Sequence, residues 1–187
     1  MSHPTHHPRV DSFFHADTST FTHVVSHAGH AAIIDPVLDF DPASARTSTT
    51  SADALLAHVR AHGWTIDWIL ETHAHADHLS AGGYLRDTFD APLAIGRGIV
   101  EVQRRFKALF GLDDAFVADG SQFDRLFDDG DTFRIGELEV RVIATPGHTD
   151  DSLTYVIGDA AFIGDTLFAP ESGSARTDFP GGDARRL

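Results

Sequence analysis

A layered α/β domain with a mixed sheet is the fold class this sequence predicts, and three observations predict it. Stretches of strand character occupy both ends of the chain, helical spacing of three and four appears in the middle, and each metal-capable group follows a strand. At 187 residues the chain suits one domain, long enough to bury a core. The expected division is a disordered N-terminus over 1–10 and one folded domain over 11–187.

The start, Met1-Ser2-His3-Pro4-Thr5-His6-His7-Pro8, has no periodicity, and its prolines predict a frayed end that binds metal only adventitiously. Thr22 to Ala28 and His30 to Ile34 read as two strands around Gly29, the second stopped at Asp35-Pro36 because proline cannot donate to a ladder. Asp39 to Ser51 reads as a polar loop. Ser51 is the expected cap of a helix from Ala52, with Leu55, Leu56 and Val59 as its buried stripe and Gly63 as its stop. Ile66, Trp68, Ile69 and Leu70 read as a buried strand, and Leu79 to Phe89 as a helix. Pro92 to Ile95 is a brief strand. A helix from about Gly98 to Phe110 places Ile99, Val102, Phe106 and Leu109 on one side, and Arg97, Arg104, Arg105 and Lys107 on a basic face whose expected role is solvation. Two hairpins close the pattern: Asp131 to Ile135 with Leu138 to Ala144, then Ser152 to Ile157 with Ala160 to Ile163. They lead into Thr145-Pro146-Gly147-His148-Thr149 and Gly164-Asp165-Thr166.

The functional signal lies between the strand at 66–70 and the helix after it. His73, His75, Asp77 and His78 put three imidazoles and a carboxylate into six residues. With 13 histidines in the chain a single one means little, but this grouping on a strand-to-helix loop is a metal site in outline. Imidazole suits zinc, copper, iron and nickel, and the carboxylate adds hard-metal character, so the cluster alone leaves the metal open.

Composition narrows the partners. The formal charge is −14 and Lys107 is the only lysine, so the surface repels nucleic acid and anionic lipid, and an anionic substrate needs its own cationic residue. No cysteine is present, which excludes disulfides, thiolate ligands and a cysteine nucleophile. No apolar run approaches the roughly 18 residues of a membrane helix and no signal core opens the chain, so a cytoplasmic protein is expected.

The motifs HAHADH at 73–78, PGHT at 146–149 and GDT at 164–166 resemble the metallo-β-lactamase superfamily, whose fold is an αββα sandwich with the metal at one edge. The segments AIIDPV at 32–37, THAHADHLSA at 72–81, GDTLF at 164–168 and RTDFPGGD at 176–183 are similar to its persulfide dioxygenase branch, especially the bacterial members. The resemblance implies one non-haem iron(II), Fe(2+), held by His73, His148 and Asp165, with open positions for substrate and dioxygen. It implies orienting and proton-handling roles for His75, Asp77 and His78, and a substrate-carboxylate contact for Arg176, oriented by Asp178, with a structural salt bridge as the plain alternative. The implied substrates are glutathione persulfide, or a similar small persulfide, and O2; a homodimer is the assembly to test. In the hydrolase branches, typified by glyoxalase II, His73, His75 and His148 would hold one Zn(2+). Asp77, His78 and a later histidine would hold a second, with Asp165 bridging. Relatives continue past Asp183 through helices and a strand carrying that histidine, so the fold is expected to be C-terminally incomplete. An inactive remnant or sulfur carrier is the third alternative.

Overall fold

The structure, a computed structural model, describes residues 7–187. Alternation builds its sheets. Along β11 (Leu138–Ala144), Leu138, Val140 and Val142 are buried while Glu139 and Arg141 face out, so one face of the strand must lie on a core. With β10 (Thr132–Ile135), β12 (Leu153–Ile157) and β13 (Ala160–Phe162) it forms an antiparallel four-stranded sheet in sequence order. The larger sheet is mixed. Its antiparallel part is β1 (Arg9–His15), β2 (Thr20–His27) and β3 (His30–Ile34), and its parallel part adds β6 (Thr65–Leu70), β8 (Leu93–Gly96) and β9 (Arg125–Phe127).

The sheets face each other across one core, where Val25, Ile34, Leu70 and Phe127 meet Ile135, Val140, Tyr155 and Ile157. The opposite face of the larger sheet, Val24, Ile33, Ile66 and Ile69, packs on α1 (Thr50–His62) through Leu55 and Val59 and on α2 (Gly82–Phe89) through Leu85. The third helix, α3 (Ile99–Phe110), covers Ile95 with Ile99 and Val102. Helix, sheet and sheet thus form three of the layers of an αββα sandwich, and among the described residues all three helices cover the larger sheet.

Several elements depart from the sequence reading. Arg9 and Val10 belong to β1 rather than to a disordered end, because ladder bonds to Ser26 and Val25 hold them; residues 1–6 of that expectation lie outside the described residues. The stretch 39–51 is no plain loop: β4 (Val37–Asp41) pairs with β5 (Arg46–Ser48) and with β7 (Leu79–Ser80) in a small separate sheet. This pairing extends Leu79 and Ser80, so helix α2 begins three residues later than expected. Ser51 does not cap α1; its hydroxyl and amide both donate to Asp39, at 2.6 and 2.8 Å. Gly63 does stop α1, with φ at 65°, the left-handed region glycine enters without a Cβ penalty. Leu109, expected on the buried side of α3, is 60% exposed at the free end of that helix. The basic residues around α3 are spent on local partners: Arg97 on Asp128, Arg104 on Glu101, Arg105 on Asp150 and Lys107 on Asp114.

Candidate metal centre

Four loops meet at one edge of the sandwich. The parallel strands β3 and β6 end side by side, which sets Asp35 beside Thr72 and His73. The chain after β11 brings His148, and the 3-10 turn Gly164–Thr166 after β13 brings Asp165. Leu153 N donates to Thr72 O at 2.8 Å and ties the two sheets together here. Asp151, 1% exposed, accepts from Ala74 N at 2.8 Å and couples the loops of His73 and His148; burial pushes its carboxyl up.

His73, His148 and Asp165 converge. Asp165 Oδ2 lies 3.8 Å from His73 Nε2 and 3.4 Å from His148 Nε2, and one ligand atom from each residue falls within 4.8 Å of the others. Each ring is anchored by its other nitrogen, His73 Nδ1 on Thr72 Oγ1 at 3.0 Å and His148 Nδ1 on the carbonyl of Arg176 at 2.8 Å. Gly164 makes the approach possible, because a Cβ there would stand 2.5 Å from Thr72 Oγ1 and φ is 50°. Burial, with the charge of His75 adding to it, holds the His73 imidazole down at about 3, so it stays neutral and its lone pair is free. Burial also raises the Asp165 carboxyl.

The histidine-rich loop forms a second group. His75, Asp77 and His78 also place one ligand atom each within 4.8 Å, and the rings of His75 and His78 stack with centroids 4.1 Å apart. His78 Nδ1 donates to Leu79 O at 3.0 Å, and Asp77, exposed at the mouth, accepts from Thr20 Oγ1 at 2.7 Å. Thr20 carried no signal in the sequence, since it lies 57 residues away on another strand.

Asp35 is the residue the sequence reading passed over, noting it only as a strand end. It is 6% exposed at φ 51°, a conformation Asp tolerates better than most residues, and it accepts from Thr72 N at 2.7 Å and Thr72 Oγ1 at 2.8 Å. His75 Nε2 sits 3.1 Å from Asp35 and 3.2 Å from Glu71. Burial alone would raise Asp35, but the charge and hydrogen bond of His75 lower it to about 2. For His75, burial opposes protonation and the two carboxylates overcome it, lifting the imidazole well above its ordinary value. Glu71 is raised by burial, and its other oxygen accepts from Ser80 Oγ. The group is thus an internally compensated ionic cluster beneath the metal ligands.

Arg176 lies beside the centre, not in it. Its side chain is exposed, paired with Asp178 at 2.6 and 2.8 Å and stacked over the Phe179 ring at 4.7 Å, while its backbone carbonyl anchors His148.

The donor set fits a metal ion. Among the described residues His73 Nε2 and His78 Nε2 are buried with no hydrogen-bond partner, a cost that a bound cation removes. Two imidazoles and one carboxylate on one side leave coordination positions open, and such nitrogen and oxygen donors serve iron and zinc alike. The metallo-beta-lactamase superfamily model matches residues 16–187. The chain belongs to the metallo-β-lactamase superfamily. Within it, the chain is 53% identical over 182 residues to a beta-lactamase hydrolase-like protein of Xylella fastidiosa, covering 96% of the chain and 42% of that protein. It is 49% identical over 158 residues to glyoxylase B2 of Dictyostelium discoideum, covering 83% of the chain and 54% of that protein. The solved structure of ETHE1 from Myxococcus xanthus matches with a TM-score of 0.71 and 31% identity over 95% of the chain and 65% of its own length. The chain therefore spans less than two thirds of each of these relatives. No helix among the described residues is long and apolar enough to cross a membrane.

Proposed function

We propose that this protein is a persulfide dioxygenase. One small persulfide, such as glutathione persulfide, one O2 and one water would yield the thiol, sulfite and two protons. The observation that carries this reading is the convergence of His73 Nε2, His148 Nε2 and Asp165 Oδ2, two histidines and one carboxylate anchored from behind. The likeness to ETHE1 and the segments at 72–81 and 176–183 support it.

His73, His148 and Asp165 would hold one iron(II), which supplies the redox chemistry between the outer sulfur and O2. The chain's own groups bind and handle protons. Asp77, exposed at the mouth and held by Thr20, would take the proton of the S–H group or of the attacking water. His75, kept protonated by Asp35 and Glu71, holds the loop's charge fixed, and His78 packs against it. Arg176 would exchange its Asp178 partner for a substrate carboxylate, presenting the same fork.

A second reading rests on the closeness of Asp77 and His78 to His75: with His73, His75 and His148 on one zinc and Asp77 and His78 on a second, the site would be that of a dinuclear thioester hydrolase, and the likeness to glyoxylase B2 favours it. Oxygen consumption with glutathione persulfide, run beside hydrolysis of a glutathione thioester, separates the two. Uptake matched to sulfite supports the dioxygenase, and hydrolysis without uptake replaces it with the hydrolase.

A further inference from the structure

Two clefts open on either side of the loop 75–78. One, about 840 Å³, runs past Asp165 and is walled by Val10, Phe21, Phe162, Leu167 and Phe168. The other, about 1090 Å³, is polar and lies between the turn joining β1 to β2 and the hairpin of β4 and β5. His75 and Asp77 line both clefts, so the polar one adjoins the cleft that holds Asp165 across this loop.

The charges lining the polar cleft are not alike. Asp39 is occupied by Ser51, at 2.6 and 2.8 Å, and Asp41 by Ser44 Oγ and Ala43 N, at 2.6 and 2.9 Å. The side chains of Asp17 and Arg46 have no hydrogen-bond or ion-pair partner among the described residues, although Arg46 stands opposite Asp41 in the β4–β5 ladder, and they do not pair with each other, being on separate hairpins. The other arginines lining the clefts and loops of the centre are committed: Arg86 to Asp87 and Arg176 to Asp178. A free carboxylate and a free guanidinium in one cleft match a ligand that carries both an ammonium and a carboxylate. A plain anion would meet Asp17, Asp39 and Asp41 along with its one cation, and a plain cation would meet Arg46.

We propose that this cleft binds the zwitterionic α-amino-acid end of the thiol substrate, Arg46 taking the carboxylate and Asp17 the ammonium. The proposal rests on the small-thiol substrate of the preceding reading and assigns its polar end. It also explains why an Arg stands in the polar hairpin that the sequence presents only as a loop. The small sheet of β4, β5 and β7 then has a use: β7 ends the histidine loop and β5 carries Arg46, so ladder bonds fix the anchor relative to the centre.

Calorimetric titration with S-methylglutathione, which has the zwitterionic end and no reactive sulfur, tests this without turnover. N-acetylation of the same compound removes the ammonium. The unmodified compound should bind the wild-type protein about tenfold more tightly than the N-acetyl form, the scale of one charge-assisted hydrogen bond. Asp17→Asn should erase that preference, and Arg46→Gln should weaken both compounds by about tenfold with the preference retained. Both positions are exposed, so thermal melting should be unchanged and a loss of binding cannot be a loss of fold. Equal affinity for the two compounds, or a preference that survives in Asp17→Asn, overturns the assignment. Oxygen uptake with persulfide but no such preference removes this site and leaves the dioxygenase standing. The preference without uptake keeps the site and removes the dioxygenase.

Discussion

His73 and His78 lie five residues apart, and each buries an unpartnered Nε2, yet they are held in different ways. The ring of His73 is fixed through Thr72 and Asp35, and it meets His148 and Asp165 from two other strand ends. The ring of His78 is held by the carbonyl of its neighbour and by stacking on His75, and its partners His75 and Asp77 come from the same loop. The first set is a product of the fold, and the second is a product of the local sequence. A site assembled from three strand ends is preorganised before any ion arrives, whereas the loop set leans on the β1–β2 turn through Thr20. This difference is why a single metal at His73, His148 and Asp165 is the central reading.

Breaking the fold-built set should have the largest effect. Asp165→Ala removes the only carboxylate of that set from a half-buried position, so iron content measured on purified protein should fall to background while the circular dichroism spectrum is kept. Next comes the support beneath it. Asp35→Ala leaves Thr72 N and Thr72 Oγ1 without their acceptor and the charged His75 with Glu71 alone, and urea unfolding should show a loss of about 3 kcal/mol, the scale for breaking a buried ion pair.

These two residues also mark what could be read in advance. Strands such as Leu138 to Ala144 and helices with apolar residues three and four apart declare themselves, because one face of each is buried. The loop cluster is visible for the same reason: its residues are neighbours in the chain. Asp35 reaches Thr72 across 37 residues and Asp151 reaches Ala74 across 77, and no local pattern encodes such a meeting. The loops of His148 and Asp165 are legible as metal-capable loops at strand ends, but their grouping with His73 as one ligand set rests on the resemblance. The strands β1, β4 and β5 were hidden because they bury little; β5 is wholly exposed, held by ladder bonds that any sequence can make.

A third experiment sharpens the contrast through pH. In the metal-free protein, burial lowers His23, His73 and His78, so their folded forms resist protons that the unfolded chain accepts. Their contribution is present above the ordinary imidazole value of about 6.5 and is lost as pH falls below it, down to about 3 for His73. His75 works in the opposite sense, its contribution present below about 6.5 and lost as pH rises through its raised value. Asp35 keeps its contribution until pH falls from about 4 towards 2. The gap between the urea midpoints of wild type and His75→Gln should therefore be widest below about pH 6.5 and narrow as pH rises.

The smallest effect belongs to the loop set. Thr20→Val removes one hydrogen bond from Asp77 and should cost about 1 kcal/mol or less in stability, with iron content unchanged and Thr20→Ser close to wild type. Loss of iron in Thr20→Val would mean that Asp77 is a ligand.

Iron per chain in the wild type, His148→Ala and His78→Ala, measured on the same preparation scheme, is the most direct measurement. One iron in the wild type and in His78→Ala, with none in His148→Ala, is the expected result. Two metal ions in the wild type, or equal loss from both variants, would contradict a single centre built on His73, His148 and Asp165.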